Sequence, residues 1–264
     1  MAHRGKPIDR QARRRRTIRQ SLRFSARFQQ SVDISAERIG FFILTYPIFL
    51  AALTLHEFAH AITARWGGDM TSSYQGRVTL NPIAHMDPIG TVLMPVLMAF
   101  SSSPFLFGWA KPVPIMTANF RRGRGFGVIV ALAGPFSNLL QAIFFAICLQ
   151  TVRLMPAELL AGGEDSAMGH FLRFLSYGVI LNLILAIFNM LPVPPLDGSH
   201  VLWYTFMQYQ PKLRELYAAM YQYGFMILVG LSILGVLGWW IGLFFPPLSI
   251  AMDQIISLPD YFRS

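Results

Sequence analysis

Two histidines and a glutamate lie at metal-binding spacing inside the first long apolar stretch of this 264-residue chain. They read His56-Glu57-Phe58-Ala59-His60, and the apolar run of residues 39–55 precedes them. On a helix, positions i and i+4 share one face, so two imidazoles there can bind one Zn²⁺ while the glutamate works on a metal-bound water. Ionisable side chains at membrane depth are costly to keep and mark functional sites. The pattern therefore raises two questions together: whether a metal binds here, and whether the chemistry takes place within the membrane.

The composition is typical of a polytopic α-helical membrane protein. Hydrophobic residues make up 54% of the chain and charged residues 13%, whereas soluble domains carry about 25% charged residues. Clear apolar spans, each long enough to cross about 30 Å of hydrocarbon, are predicted at residues 39–64, 126–151, 171–191 and 223–245. The single cysteine, Cys148, excludes an internal disulfide and a multi-cysteine zinc site.

A catalytic zinc site has three protein ligands and an open position for water, so the histidine pair needs a third ligand. Buried acids are the natural candidates, and Asp197 is the strongest of them. It follows an apolar span and three prolines, and it precedes Gly198. The prolines end the helix and allow the chain to turn the carboxylate inward.

Five motifs together resemble the site-2 protease family of intramembrane metalloproteases, in its short bacterial branch without a PDZ domain. They are HEFAH at 56–60, NPIAHMDPIGT at 81–91, GWAKPVP at 108–114, AGPFSN at 133–138 and NMLPVPPLDG at 189–198. The resemblance covers residues 40–245, and it implies that His56, His60 and Asp197 bind zinc. It further implies that Glu57 is the general base and that Asn189 contacts the substrate backbone or the oxyanion.

A shared zinc ion would place its three ligands at one depth, which constrains how the spans run. The first span and the span at 171–191 must then run in the same direction, and the span at 126–151 must run opposite to them. The chain between residues 66 and 125 must return to the side it left. Residues 88–107 contain four helix breakers and are therefore predicted to be re-entrant or a hairpin.

The expected fold is all-α, a polytopic membrane protein with about four to six transmembrane or re-entrant helices around a buried zinc site. Residues 66–80 are rich in glycine and threonine, and we expect a short β-hairpin there. A strand of that hairpin could pair with an unwound substrate segment by β-augmentation.

The expected domain division follows the charge. Eleven of the 22 lysines and arginines lie in residues 1–38, which we interpret as a basic, partly disordered N-terminal arm. A membrane-embedded metalloprotease domain is expected at 39–250, followed by a C-terminal tail at 251–264. The arm is suited to contact anionic lipid, and nucleic acid is not expected as a partner.

The expected location is a bacterial cytoplasmic membrane. The resemblance places the site near the cytosolic face, and the basic loops on the active-site side agree with the positive-inside rule. The arm begins on the opposite side and disagrees with that rule, so its orientation stays open.

The leading interpretation of the function is an intramembrane zinc endopeptidase that cuts peptide bonds in or near transmembrane segments of membrane proteins, with Glu57 as the general base. The alternative is a non-proteolytic metal-binding membrane protein of the same fold, an adaptor or chaperone, which would not need Glu57. An ion or metal transporter is disfavoured because the polar groups cluster at one depth and form no path across.

Three further polar residues each have two interpretations. His200 lies three residues after Asp197, and either contacts a metal ligand or sits at the membrane surface. His85 belongs to one of the motifs, with either a structural role or a place in the site. Asn138 is expected to make an interhelical hydrogen bond in preference to a role at the site.

Overall fold

The structure is a computed structural model that describes residues 10–100, 107–156, 159, 163 and 166–261, with only the backbone described for residues 10–37 and 255–261. Within these residues the α-helices are, in chain order, α1 (Arg10–Trp66), α2 (Thr71–Tyr74), α3 (Met94–Phe100), α4 (Phe126–Arg153), α5 (Ala167–Asn189), α6 (Asp197–Thr205), α7 (Pro211–Gln222), α8 (Gly224–Ile233) and α9 (Val236–Tyr261). Short turns of 3₁₀-helix lie at Pro82–His85, Thr117–Asn119 and Met207–Tyr209, and Pro88–Leu93 forms a π-helical turn.

Four stretches of helix in the described residues are long and apolar enough to cross a membrane. They are Arg38–Trp66 of α1, all of α4, all of α5, and Val236–Gln254 of α9. Helices α7 and α8 meet at a 75° bend and add a fifth span if the pair is counted as one. The predicted all-α polytopic membrane fold is confirmed.

Helices α1 and α4 run antiparallel, as two hydrogen bonds between them show. The backbone oxygen of Ala52 accepts from Asn138 Nδ2 at 3.4 Å. Farther along α1, His60 Nδ1 lies 2.7 Å from the backbone oxygen of Val130. The residue number therefore rises along α1 while it falls along α4.

Helices α4 and α5 are also antiparallel. Asn138 Nδ2 donates to Asn182 Oδ1 at 3.0 Å, and the ring centroids of Phe145 and Phe174 lie 6.0 Å apart. Since α4 opposes both neighbours, α1 and α5 run in the same direction, as the shared depth of the three candidate ligands predicts.

Small residues allow α4 and α5 to approach closely. Gly178 of α5 lies against the ring of Phe145, and a Cβ at that position would overlap the ring. Close packing of this kind holds membrane helices together, because lipid provides no hydrophobic drive for their association. The buried cluster that α4 and α5 form with α9 consists of Ala142, Ala146, Leu149, Val152, Leu175, Val179, Leu183 and Met252.

The segment after residue 88 packs against α1 and returns to its starting point. The apolar helical stretch Pro88–Phe100 covers only about 20 Å at 1.5 Å per residue, too little for a crossing. On the return, Trp109 N–H donates to the oxygen of Gly90, and Lys111 N–H donates to the oxygen of His85. The excursion is therefore re-entrant, as predicted; residues 101–106 lie outside the described residues.

The β-hairpin predicted near 66–80 is wrong, because in the structure this segment forms helix α2 and turns. Two glycines with positive φ, Gly68 at 105° and Gly76 at 65°, turn the chain on either side of α2. Between them the Asp69 carboxylate accepts the N–H and the hydroxyl of Thr71, which starts the helical turn.

The last span predicted at 223–245 is also wrong in its bounds. Gly235, with φ of 74°, separates α8 from α9. Helix α9 then continues through Pro246 and Pro247, which membrane helices tolerate better than soluble ones.

Helix α1 begins within the predicted arm and α9 ends within the predicted tail; the domain division itself stays a prediction.

A buried carboxylate ties the turn after α1 to the loop before α4. The Asp69 side chain is fully buried; Oδ1 accepts from Thr71 and from Asn119 Nδ2, and Oδ2 accepts from Met116 N–H at 2.7 Å. Burial raises the pKa of this carboxyl, but the hydrogen bonds outweigh burial and lower the pKa below its ordinary value.

We expect Asp69→Asn to lower the free energy of unfolding by about 2 kcal/mol near neutral pH, because one acceptor oxygen becomes a donor facing other donors. The pKa of Asp69 is lower in the folded than in the unfolded protein. The ionised carboxylate therefore stabilises the fold above the unfolded-state pKa of about 3.9, and this stabilisation is lost as the pH falls through the folded-state pKa. Thermal unfolding in detergent between pH 7 and pH 3 measures the difference. Asp253→Asn, at an exposed position, is the matched control; equal effects of the two substitutions at pH 7 would contradict the prediction.

Candidate metal centre

His56, His60 and Asp197 converge on one point between α1 and the start of α6. His56 Nε2 lies 3.1 Å from Asp197 Oδ2 and 3.1 Å from His60 Nε2, and His60 Nε2 lies 3.3 Å from Asp197 Oδ1. Both imidazoles are buried, with 5% and 6% of the residue exposed. Among the described residues, this is the one group of three or more histidines, cysteines and acids that could hold a metal ion.

Three local features bring these residues together. Helix α1 places the two histidines one turn apart on one face. Helix α5 ends at Asn189, and the proline-containing turn that follows delivers Asp197 as the first residue of α6. Gly198 makes that turn feasible, because a Cβ there would overlap the backbone oxygen of Met190.

Hydrogen bonds on the far side of each ring fix the tautomers. His60 Nδ1 faces the Val130 backbone oxygen, which can only accept, so Nδ1 carries the hydrogen. His56 Nδ1 lies 2.6 Å from Asn138 Oδ1, so it donates as well. We therefore assign both rings as Nδ1–H, with the lone pair of each Nε2 directed toward Asp197.

The cluster fits a divalent cation. Four acceptor atoms, the two Nε2 atoms and both carboxylate oxygens of Asp197, lie together with contacts of 3.1–3.3 Å, which is repulsive unless a positive charge lies among them. Asp197 Oδ2 is buried and makes no hydrogen bond among the described residues, although His56 Nε2 is 3.1 Å away. In a tetrahedral zinc site with bonds of about 2.0–2.1 Å, ligand atoms lie about 3.3 Å apart. Two imidazoles and a carboxylate are also a ligand set that zinc favours.

Space for such an ion depends on Gly134 of α4. A Cβ at this position would overlap the Nε2 atoms of both His56 and His60. The glycine therefore keeps the metal-facing side of the histidine pair clear of protein atoms.

Glu57 lies on the neighbouring side of α1, against an extended loop. Its Oε2 accepts from Val113 N–H at 3.0 Å, and among the described residues its Oε1 makes no hydrogen bond. The buried Arg77 donates to the backbone oxygen of Lys111 in the same loop. Burial lowers the pKa of Arg77, and the Glu57 carboxylate acts in the opposite direction, so the two charges are close enough to interact.

The structure places Asn189 in the last turn of α5, half-buried. Its Nδ2 donates to the backbone oxygen of Leu185 one turn earlier, at 3.0 Å. One amide hydrogen is thus used within the helix, and the second has no partner among the described residues. The expected contact of Asn189 with substrate stays a prediction.

Two of the other histidines contribute no ligand atom to the cluster, although His200 is close enough to Asp197 and His60 for their charges to act on it. His85 is buried under the re-entrant segment, where its Nε2 donates to the backbone oxygen of Thr79 at 2.9 Å. His200 lies in α6 and stacks against Tyr204, with ring centroids 6.4 Å apart. Neither belongs to the group whose ligand atoms converge.

Two asparagines take part in the hydrogen bonds of the site more than the sequence indicates. Asn138 makes the predicted interhelical hydrogen bond, to Asn182, but it also accepts from His56, so its interhelical and site roles coincide. Asn182 is not among the residues predicted for the site. The available signal was an amide side chain within an apolar span, which in a membrane helix needs a polar partner.

Residues 122–231 match peptidase family M50. "Putative zinc metalloprotease YwhC" of Bacillus subtilis is 36% identical over 211 residues, which cover 79% of this chain and 87% of that protein. "Putative zinc metalloprotease Rip2" of Mycolicibacterium smegmatis is 30% identical over 202 residues, covering 76% of this chain and 71% of that protein. "Putative zinc metalloprotease MJ0611" of Methanocaldococcus jannaschii is 30% identical, covering 70% of this chain and 89% of that protein. No solved structure matches the chain significantly.

We expect Gly134→Ala to reduce zinc affinity by about 100-fold or more, because the added methyl group and the ion compete for the same space. Competition against a chromogenic chelator, on detergent-solubilised protein, measures the affinity. Gly242→Ala in α9 is the matched control, since a Cβ there meets no atom within 4 Å. A Gly134→Ala protein with the zinc affinity of the wild type would show that the ion does not bind between the histidines.

Proposed function

The chain belongs to peptidase family M50, the site-2 type of zinc metalloprotease, and from this we propose that it hydrolyses peptide bonds in or near transmembrane segments of other membrane proteins. The observation that carries the proposal is the convergence of His56, His60 and Asp197 beside a glutamate in a membrane-spanning helix. The protein is an integral membrane protein, and we place it in a bacterial cytoplasmic membrane.

In this proposal His56 Nε2, His60 Nε2 and one Asp197 carboxylate oxygen hold the zinc ion. An ion held by these three residues would keep a position open for water or the substrate carbonyl, as in other catalytic zinc sites. Zinc bound there would lower the pKa of water to about 7 and polarise the scissile carbonyl. The chain itself orients the ligands, through the hydrogen bonds from the Nδ1 atoms.

Glu57 would act as the general base. Val113 N–H donates to Oε2, which leaves Oε1 to take a proton from the attacking water. The same oxygen then passes that proton to the leaving amine. The buried Arg77 lies close enough to the Glu57 carboxylate for the two charges to interact.

Asn189 is proposed to donate its second amide hydrogen to the developing oxyanion or to the substrate backbone. The bond to Leu185 leaves that hydrogen available and restricts the side-chain rotamer. A donor held in advance costs little reorganisation when negative charge develops on the substrate.

Substrate helices must unwind locally, because a helical peptide bond is shielded by its own hydrogen bonds. Pairing of the unwound segment with residues 66–80 is not part of the proposal, because those residues contain no strand. The adaptor or chaperone alternative has no observation in its favour: the Glu57 carboxylate is ordered by Val113 beside the candidate metal site.

Glu57→Gln should reduce cleavage by about 1,000-fold while zinc binding is retained, because the amide keeps the shape of the side chain but cannot accept the proton. The assay uses protein reconstituted in liposomes with a panel of single-span membrane proteins, and product formation is followed by mass spectrometry. Glu215→Gln on the exposed face of α7 is the matched control. Zinc-loaded wild type and Glu57→Gln proteins that cleave equally, or zinc-loaded wild type that cleaves no member of the panel, would reject the protease proposal.

Asn189→Ala should lower kcat by about 100-fold without changing zinc content, since the loss falls on the transition state. Asn189→Asp tests the donor specifically, because a carboxylate matches the shape but would face the oxyanion with negative charge. Single-turnover rates at saturating substrate give the measurement. Rates within about twofold of wild type for both variants would remove Asn189 from the mechanism.

A further inference from the structure

We propose that Asn182 is a positioning residue of the metal centre, which acts through Asn138 to fix the tautomer and orientation of His56. The inference rests on the proposed function, because it concerns the same zinc site. It assigns a role to a residue of α5 that contacts neither the ion nor the substrate.

Three hydrogen bonds connect His56 to the backbone of α5 through the centre of the bundle. His56 Nδ1 lies 2.6 Å from Asn138 Oδ1, and Asn138 Nδ2 donates to Asn182 Oδ1 at 3.0 Å. Asn182 Nδ2 then donates to the backbone oxygen of Gly178 at 2.9 Å. Both asparagines are fully buried, so these bonds do not exchange with water.

We call these three hydrogen bonds the relay. The donor and acceptor of each bond in the relay follow from its last acceptor, the Gly178 backbone oxygen. The oxygen of Gly178 can only accept, so Asn182 must present Nδ2 to it and Oδ1 to Asn138. Asn138 must then present Nδ2 to Asn182 and Oδ1 to His56. His56 therefore donates from Nδ1, which leaves the Nε2 lone pair facing Asp197.

The two histidines differ in how they are held. His60 is fixed directly by the Val130 backbone oxygen, which no side-chain substitution removes. His56 depends on an amide that can turn either end toward it. Without Asn182, the acceptor that remains for Asn138 Nδ2 among the described residues is the Ala52 oxygen at 3.4 Å, a long bond that holds the amide poorly.

A reversed Asn138 would present its NH₂ group to His56 Nδ1. The ring would then place its own hydrogen on Nε2, where it blocks the metal. A purely structural role for Asn182, as an interhelical contact, predicts lower stability but no change in the tautomer of His56. The two roles are therefore separable by experiment.

The test substitutes Asn182→Leu in the full-length protein and measures two properties. Zinc affinity, from chelator competition, should fall by about 10- to 100-fold. In metal-free protein with ¹⁵N-labelled histidine, the His56 signal, identified by its loss in His56→Gln, should show the hydrogen moved from Nδ1 toward Nε2. The second readout needs no metal and no activity.

A rescue variant makes the test specific. In Asn138→Asp combined with Asn182→Leu, both oxygens at position 138 accept, so the direction of the His56 bond no longer depends on position 182. Zinc affinity should return to within about threefold of wild type. A loss that persists in the double variant would overturn the relay.

Two controls on α5 separate the relay from general destabilisation. Leu183→Ala opens a fully buried position beside Asn182, and Ser176→Ala removes a local bond to the Leu172 oxygen. Both should keep the wild-type zinc affinity and tautomer. An equal fall in zinc affinity in Leu183→Ala, or an unchanged His56 tautomer in Asn182→Leu, would contradict the proposal. Wild-type protein that binds no zinc would instead reject the proposed function, and the tautomer measurement would still decide the relay.

Discussion

The structure depends on the meeting of three acceptor side chains at one buried point. His56 Nε2, His60 Nε2 and the Asp197 carboxylate lie 3.1–3.3 Å apart, an arrangement that is stable only around a positive charge. Because the three side chains must meet at one point, α1 and α5 run in the same direction and the chain turns tightly at Gly198. The same requirement leaves no room for a side chain at Gly134. A divalent cation would turn this local repulsion into an interaction that joins α1 to the start of α6.

Polar groups in the bundle have few hydrogen-bond partners, so which group donates and which accepts is determined by the partner at hand. In water a histidine tautomer can be satisfied by solvent on either nitrogen. In the apolar bundle each ring has one acceptor behind it, the Val130 oxygen for His60 and the Asn138 amide for His56. The same groups therefore hold the helices together and prepare the ligands, and structure and chemistry at this site cannot be separated.

Much of the centre could be predicted from the sequence, because the i, i+4 histidine pair and an acid after a proline-rich helix end are local patterns. The shared depth of the ligands then fixed the parallel spans and the re-entrant segment. The expected β-hairpin failed because the Asp69 carboxylate organises that turn through residues more than 45 positions away. Asn182 was missed for a similar reason: an amide in an apolar span requires a partner, but the sequence does not say which one.

X-ray absorption at the zinc edge on the purified protein identifies the atoms bound to the ion and gives their distances from it. We expect one zinc per chain, with two imidazole nitrogens at about 2.0–2.1 Å, the remaining ligands oxygen, and no sulfur. We also expect that His56→Gln removes one imidazole from the spectrum. A zinc ion with six oxygen ligands, or a spectrum that His56→Gln leaves unchanged, would contradict this expectation.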